Sequence, residues 1–189
     1  DTVQELLALA RAKPGVLNYG SFGIGSISHI DAEAIALLAG IKVTHVPYKG
    51  GAPLLQALLA DEVSFGLTGM TAAIPLIRDK KIKALAYVGL KRSPIFPDLP
   101  TLDESGFAGF DTNAWFGWWA PAGTPAAIVD KIAADVGRVI SAPAFADKYV
   151  LPLGHELVNA HGARVAERLD ADKKIFVART KPLDLKLEF

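Results

Sequence analysis

The chain has 189 residues, 51% of them hydrophobic, with 20 basic and 20 acidic side chains and no cysteine. Balanced charge, spread as ten basic and eleven acidic residues through Gly117 and ten and nine from Trp118 onward, disfavours a general nucleic-acid or anionic-membrane binder and requires any anion site to be local. The missing thiols exclude a disulfide framework, a cysteine nucleophile and thiolate-held zinc or iron–sulfur groups, while leaving the compartment open.

Val3, Leu6, Leu7 and Ala10 recur at helical spacing, and Lys13-Pro14-Gly15 ends that helix. These residues lack the basic start and apolar stretch of a signal peptide, and no apolar run reaches the roughly 20 residues that span a bilayer, so no membrane insertion is expected. A strand over Val16 to Tyr19 leads through Gly20-Ser21-Phe22-Gly23-Ile24-Gly25-Ser26-Ile27-Ser28 into a helix over His29 to Leu38 that ends at Gly40. The pattern recurs as strand Lys42 to Val46, turn Pro47-Tyr48-Lys49-Gly50-Gly51 and helix Ala52 to Leu59. It recurs again as strand Val63 to Leu67, turn Thr68-Gly69-Met70 and helix Thr71 to Ile77, and Ile82 to Val88 reads as a fourth strand. Such alternation predicts an α/β fold with a mostly parallel sheet flanked by helices. Ligands of these sheets sit outside the carboxyl ends of the strands, where the turns fall.

From Lys91 to Gly109 the Pro-, Ser- and Gly-rich sequence suits a surface excursion. Thr112 to Ala120, with Trp115, Phe116, Trp118 and Trp119, reads as an apolar strand, its tryptophans as core or domain-contact residues. Thr124 is placed to cap a helix with Pro125 at its first position, running to about Ile140. A helix over Pro143 to Tyr149, an extended piece near His155 to Val158 and a last helix over Arg164 to Ala178 follow.

The first turn sets three glycines and three serines between a strand end and a helix start. Glycines let backbone approach a ligand, and the free amides of a helix start favour an anion. Taken alone, the turn is equally a tight connection. It lacks the Gly-Lys-Ser/Thr of a Walker loop, and Gly23-x-Gly25-x-x-Ser28 lacks the third glycine of the dinucleotide fingerprint, with His45 near where a ribose-binding acid would stand. Tyr48, Lys49, Gly50 and Gly51 bring a second helix start towards the same crevice, so a carboxylate could be held by backbone amides and hydroxyls. For Lys49 the backbone, rather than the ammonium, is the candidate contact.

Catalytic patterns are sparse. His29, His45, His155 and His161 form no local metal motif, and His29 and His45 read as capping or packing groups. Ser21, Ser26 and Ser28 lack a Gly-x-Ser-x-Gly elbow, which counts against a hydrolase or transferase pairing a serine with His29, the competing reading of the same crevice. Asp31, Glu33, Asp103 and Glu104 read as solvated faces.

Several ordered motifs carry a resemblance over nearly the whole chain. They are Lys13-Pro14-Gly15-Val16-Leu17-Asn18-Tyr19-Gly20-Ser21, the turn ending in Ser28-His29, Val46-Pro47-Tyr48-Lys49-Gly50-Gly51-Ala52-Pro53, Lys91-Arg92-Ser93-Pro94, Pro97-Asp98-Leu99-Pro100-Thr101, and Trp115-Phe116-Gly117 followed by Ala120-Pro121-Ala122-Gly123-Thr124-Pro125. In these the chain resembles the substrate-binding proteins of tripartite tricarboxylate transporters, the Bug family.

The resemblance implies a non-enzymatic periplasmic receptor of two α/β lobes, without a cofactor or metal, that closes on a small carboxylate and delivers it to membrane permease subunits. It implies that residues 1–117 form the ligand-binding lobe and that 118–189 return to the other lobe. Tyr19, Gly20, Ser21, Phe22, Gly23, Gly25, Ser26, Ser28 and His29, with Tyr48, Lys49, Gly50, Gly51 and Thr68, would then line one half of the cleft. Two departures stand out. Family members begin with a signal peptide and a long stretch that builds most of the other lobe, so the chain is expected to be a fragment. Thr68 stands where the family commonly has an aspartate, which would cost an amine-bearing ligand its partner. The final Leu183 to Phe189 also fits the family tail poorly.

Overall fold

In the computed structural model, which describes residues 1–112 and 114–183, helix α1 (Val3–Ala12) starts from a reciprocal cap. The Glu5 amide donates to the Thr2 hydroxyl and the Thr2 amide to the Glu5 carboxylate. Three strand–helix passes follow: β1 (Asn18–Ser21) and α2 (Ile27–Ala39), β2 (Thr44–Pro47) and α3 (Gly51–Leu59), β3 (Phe65–Gly66) and α4 (Met70–Arg78). Helix α2 is capped by Ser26, whose hydroxyl accepts from the His29 amide, and ends at Gly40 with φ +61°, a left-handed backbone that suits glycine.

The strands form a parallel sheet in the order β2-β1-β3, with Tyr19 beside His45 and Phe65, and Gly20 beside Val46 and Gly66. Because successive side chains alternate across a sheet, Tyr19 and Gly20 face opposite sides. Tyr19 reaches Glu33 of α2, whereas a Cβ on Gly20 would lie 2.1 Å from Leu54 of α3. Two apolar clusters result. Leu54, Ala57 and Val63 pack with Phe22, Val46 and Tyr48 on the α3 side. Val3 and Leu7 of α1 pack with Ala34 of α2, Leu102, Phe107 and Phe110.

The chain divides into two units, Asp1–Thr112 with Ile175–Phe189, and Asn113–Lys174. The first holds the sheet and both clusters. The second contains α5 (Ala126–Ile140), α6 (Pro143–Tyr149), a 3-10 turn over Leu151–Leu153 and the first part of α7 (Ala163–Thr180). Within it the Trp115 indole donates to Asp172 at 2.6 Å, and Arg168 donates to both oxygens of the same carboxylate at 2.9 Å.

Several expectations are corrected. The predicted strand over Ile82 to Val88 reduces to one parallel bridge, Tyr87 with Thr101, while Leu85, Ala86 and Val88 pack against the α1–α2 cluster. Their apolar character serves the core without a ladder. The excursion over Lys91 to Gly109 is not merely surface, for it supplies buried Ser93, Thr101, Leu102, Ser105 and Phe107. Its acids organise it: Glu104 accepts from Arg92 and from the Thr101 amide, and Asp103 accepts from the Gly109 amide.

The apolar run ending at Ala120 forms no strand over 114–120, and Asn113 lies outside the described residues. Phe116 is 84% exposed, Trp118 72% and Trp119 66%, so these rings are not core in the structure. An apolar strand needs a ladder partner and covered faces, and the described part of this unit provides no ladder. Thr124 donates to the Pro121 carbonyl, and Pro125 takes the cap position of α5. The piece near His155 to Val158 has no strand pairing. Of the tail, Leu183 packs against the first-unit core, and 184–189 lie outside the described residues.

Candidate functional site

Parallel register brings three strand ends to one edge of the sheet, and each strand enters a helix there. After α2 leads from β1 outward to β2, the chain crosses back over β1 to reach β3. That reversal is where open parallel sheets leave a crevice between neighbouring turns.

The first turn is shaped by its own side chains. The Phe22 amide donates to Ser28 Oγ at 2.9 Å, the Gly23 amide to Ser21 Oγ at 3.1 Å and the Gly25 amide to His29 Nδ1 at 3.1 Å. Ser26 Oγ donates to the Gly23 carbonyl at 2.6 Å and lies 3.1 Å from Ser28 Oγ. Ile27 and Ser28 open the helix, where backbone amides lack intrahelical acceptors.

The second turn abuts the first. The Tyr48 amide donates to the Ser21 carbonyl at 3.0 Å, and a Cβ on Gly51 would touch the Phe22 ring at 3.4 Å. Gly50 caps α3 at φ +104°, a conformation closed to most side chains, and Lys49 is exposed beside it. The third turn holds Thr68 and Gly69, the latter at the cap position of α4. Thr68 Oγ1 is buried and has no hydrogen-bond partner among the described residues.

The electrostatics of these helix starts agree. None of α2, α3 and α4 carries an acidic residue in its first turn, and α3 and α4 have no side-chain cap. Their partial positive ends are left for another acceptor. Gly20, also among the expected site residues, has a packing reason of its own, since Leu54 occupies the space a side chain would need.

Under the first turn, on the α2 side, runs an aromatic rung. Phe65, Tyr19 and His45 sit in register across the three strands, with ring centroids 5.8 and 4.9 Å apart, and His29 of α2 stacks on His45 at 4.0 Å. Burial, then the neighbouring His29, holds His45 down to about 4, and burial likewise lowers His29 against a smaller opposing effect of Glu33. Burial, then the hydrogen bond to Glu33, pushes the Tyr19 hydroxyl well above its ordinary value.

The serine–histidine contact is therefore not the expected one. Ser21 Oγ meets His45 Nε2 at 2.6 Å, while His29 Nδ1 takes the Gly25 amide. Ser21 is fully buried, so its hydroxyl builds the turn rather than meeting a substrate. Asp31 and Glu33 are also not solvated faces. Glu33 accepts from Tyr19 at 2.6 Å, and buried Asp31 pairs with Arg179 at 2.6 Å. Asp31 stands between buried Ile30 and Ala32 and three residues before buried Ala34 in α2, and that apolar setting was the available signal for its burial. Nothing near it in sequence points to Arg179.

Among the described residues no group of three metal-binding side chains forms, and no helix is long and apolar enough to cross a membrane. This arrangement, a parallel sheet with helix starts gathered at one edge, is shared with solved periplasmic binding proteins. It superposes on Rpa4515 of R. palustris with adipate at TM-score 0.91 and 30% identity, covering 96% of this chain and 60% of that one. The periplasmic binding protein BugD gives TM-score 0.85 and 30% identity, covering 97% and 62%. MatC (Rpa3494) from Rhodopseudomonas palustris with bound malate gives 0.81 and 29%, also covering 97% and 62%.

Residues 1–182 match the tripartite tricarboxylate transporter family receptor, and the chain belongs to that family. It spans less than half the length of the first curated relatives it matches, for example 42% of a Pseudomonas protein to which it is 34% identical over 142 residues.

Proposed function

We propose that the chain supplies the ligand-binding lobe of a periplasmic receptor that holds a small carboxylate without turning it over and hands it to the membrane subunits of a tripartite transporter. The observation that carries this reading is the set of three helix starts free of acidic residues, two without side-chain caps, beside the buried, unpartnered Thr68 hydroxyl. Backbone amides and a hydroxyl suit a carboxylate and need no full countercharge. Adipate in one structural neighbour and malate in another support the ligand class, and BugD supports the compartment.

In this reading residues 1–117 contribute one wall of the cleft, and residues from 118 onward pass to a second lobe, built with the remaining length of the relatives, before the chain rejoins the first unit at Ile175. The contacts are the turn from Tyr19 to His29, with buried Tyr19 and Ser21 shaping it from beneath, the turn from Tyr48 to Gly51, and Thr68. A thermal-shift screen against mono-, di- and tricarboxylates, amino acids and nucleotides tests it, because a ligand that binds only the folded state raises the melting temperature. A carboxylate-selective rise, larger in the full-length parent, is expected. Silence towards every carboxylate together with a response to a nucleotide or an ester would overturn it.

A further inference from the structure

Arg179 gathers groups that are distant in sequence. Its Nη1 donates to Asp31 Oδ1 at 2.6 Å and to Thr112 Oγ1 at 2.5 Å, its Nη2 donates to the Asp111 carbonyl at 2.9 Å, and its guanidinium lies 4.3 Å from the centre of the Phe110 ring. The side chains of Arg179 and Asp31 are 16% and 4% exposed. The chain leaves the first unit after Thr112 and re-enters it at Ile175. Arg179 thus ties the last residues before the departure, the first turn after the return, and α2 into one node.

Asp31 is the fifth residue of α2, about 6 Å along the axis from Ile27 at the usual helical rise. Two residues before it, His29 accepts from Gly25 and so holds the first turn. Wherever Asp31 fixes α2, the Gly23–Ser28 turn is fixed with it. The planar guanidinium serves the carboxylate, the hydroxyl and the carbonyl from two nitrogens held in a fixed fork, a geometry that a lysine ammonium, with its three donors on one nitrogen, does not reproduce.

We infer that Arg179 is a positioning residue: acting through Asp31, it locks the candidate ligand turn to both chain crossings, so that the first unit moves with its crossing ends as one rigid body. Its consequence for ligand binding rests on the carboxylate-receptor reading, but the lock itself does not.

The test compares wild type, Asp31→Leu/Arg179→Met, Arg179→Lys and Thr112→Val by amide hydrogen exchange of the ligand-free chain, followed by calorimetric titration of the full-length parent with adipate. The double variant replaces a buried pair by apolar groups of similar size, a change that often preserves stability where removing one partner does not. Thr112→Val keeps the ion pair and cuts one tether to the first crossing, which keeps the test informative if the double variant folds poorly.

At matched global stability, exchange across 22–30 and 108–112 is expected to rise at least tenfold in the double variant. Arg179→Lys should give a smaller rise, and Thr112→Val a rise confined to 108–112. Adipate affinity should fall about tenfold in the double variant. Unchanged protection in both segments would overturn the lock. Raised exchange with unchanged adipate affinity would overturn the positioning role. If the wild-type parent answers no carboxylate in the thermal-shift screen either, the receptor reading fails, while the exchange data still decide the lock.

Discussion

The imidazole of His29 lies on that of His45, with ring centroids 4.0 Å apart and planes 15° from parallel, directly beneath the first turn. Burial holds both rings below the ordinary histidine value, His45 at about 4. In the unfolded chain both titrate near about 6.5, so between there and about 4 the unfolded state binds more protons and stability falls as pH drops. The denaturant midpoint should decline from about pH 7 to about pH 4.5, and His45→Gln should flatten that decline. A wild-type midpoint that is level or rising towards acid, with the same profile in the variant, would contradict the stacked, neutral pair.

Gly20 and Leu54 make a steric prediction. A Cβ at Gly20 would lie 2.1 Å from Leu54 Cδ1, and Leu54 is fully buried. Gly20→Ala should destabilise the first unit by about 1–3 kcal/mol through overpacking. Leu54→Ala added to it should cost less than the sum of the two single changes, because the second substitution opens the space that the first one needs. Additive costs in urea unfolding would show that the backbone moves instead.

Thr68→Val keeps shape and removes the hydroxyl. Because that hydroxyl is buried without a partner, stability should hold or rise by up to about 1 kcal/mol, the reverse of the usual loss on deleting a buried polar group. On the proposed reading, affinity for the carboxylate that raises the melting temperature most should fall about tenfold, equivalent to about 1.4 kcal/mol. Equal affinity in calorimetry would remove Thr68 from the site.

Leu102 tests whether the Pro-rich segment belongs to the core. It is buried with Val3, Leu7 and Phe107, so Leu102→Ala should cost about 2–4 kcal/mol, as cavity-forming core substitutions do. A loss within about 0.5 kcal/mol, the range of ordinary surface changes, would return the segment to the surface.

Strand–helix alternation, the helix end at Gly40 and the helix over Pro143–Tyr149 were legible because they depend on residues within a turn of one another. The turns that gather at the sheet edge were legible for the same reason: glycine, proline and serine mark a turn wherever it is placed. Errors arose where the outcome depended on a distant partner. Ile82 to Val88 and Thr112 to Ala120 have strand composition, yet a strand requires a ladder, and composition does not say whether one is present. Asp31 and Glu33 look like surface acids until their partners at 179 and 19 are brought beside them, whereas Glu104 stays exposed beside Arg92.

The sequence by itself determined the α/β class, the parallel passes and the glycine-rich helix starts, since apolar period, caps and backbone freedom act over a few residues. Tertiary structure alone decided which serine meets which histidine, which glycine is spared a side chain by α3, and that Arg179 closes on Asp31 across 148 residues. Those contacts form only when remote segments pack together, and a buried charge or hydroxyl finds its partner through that packing rather than through its neighbours in the chain.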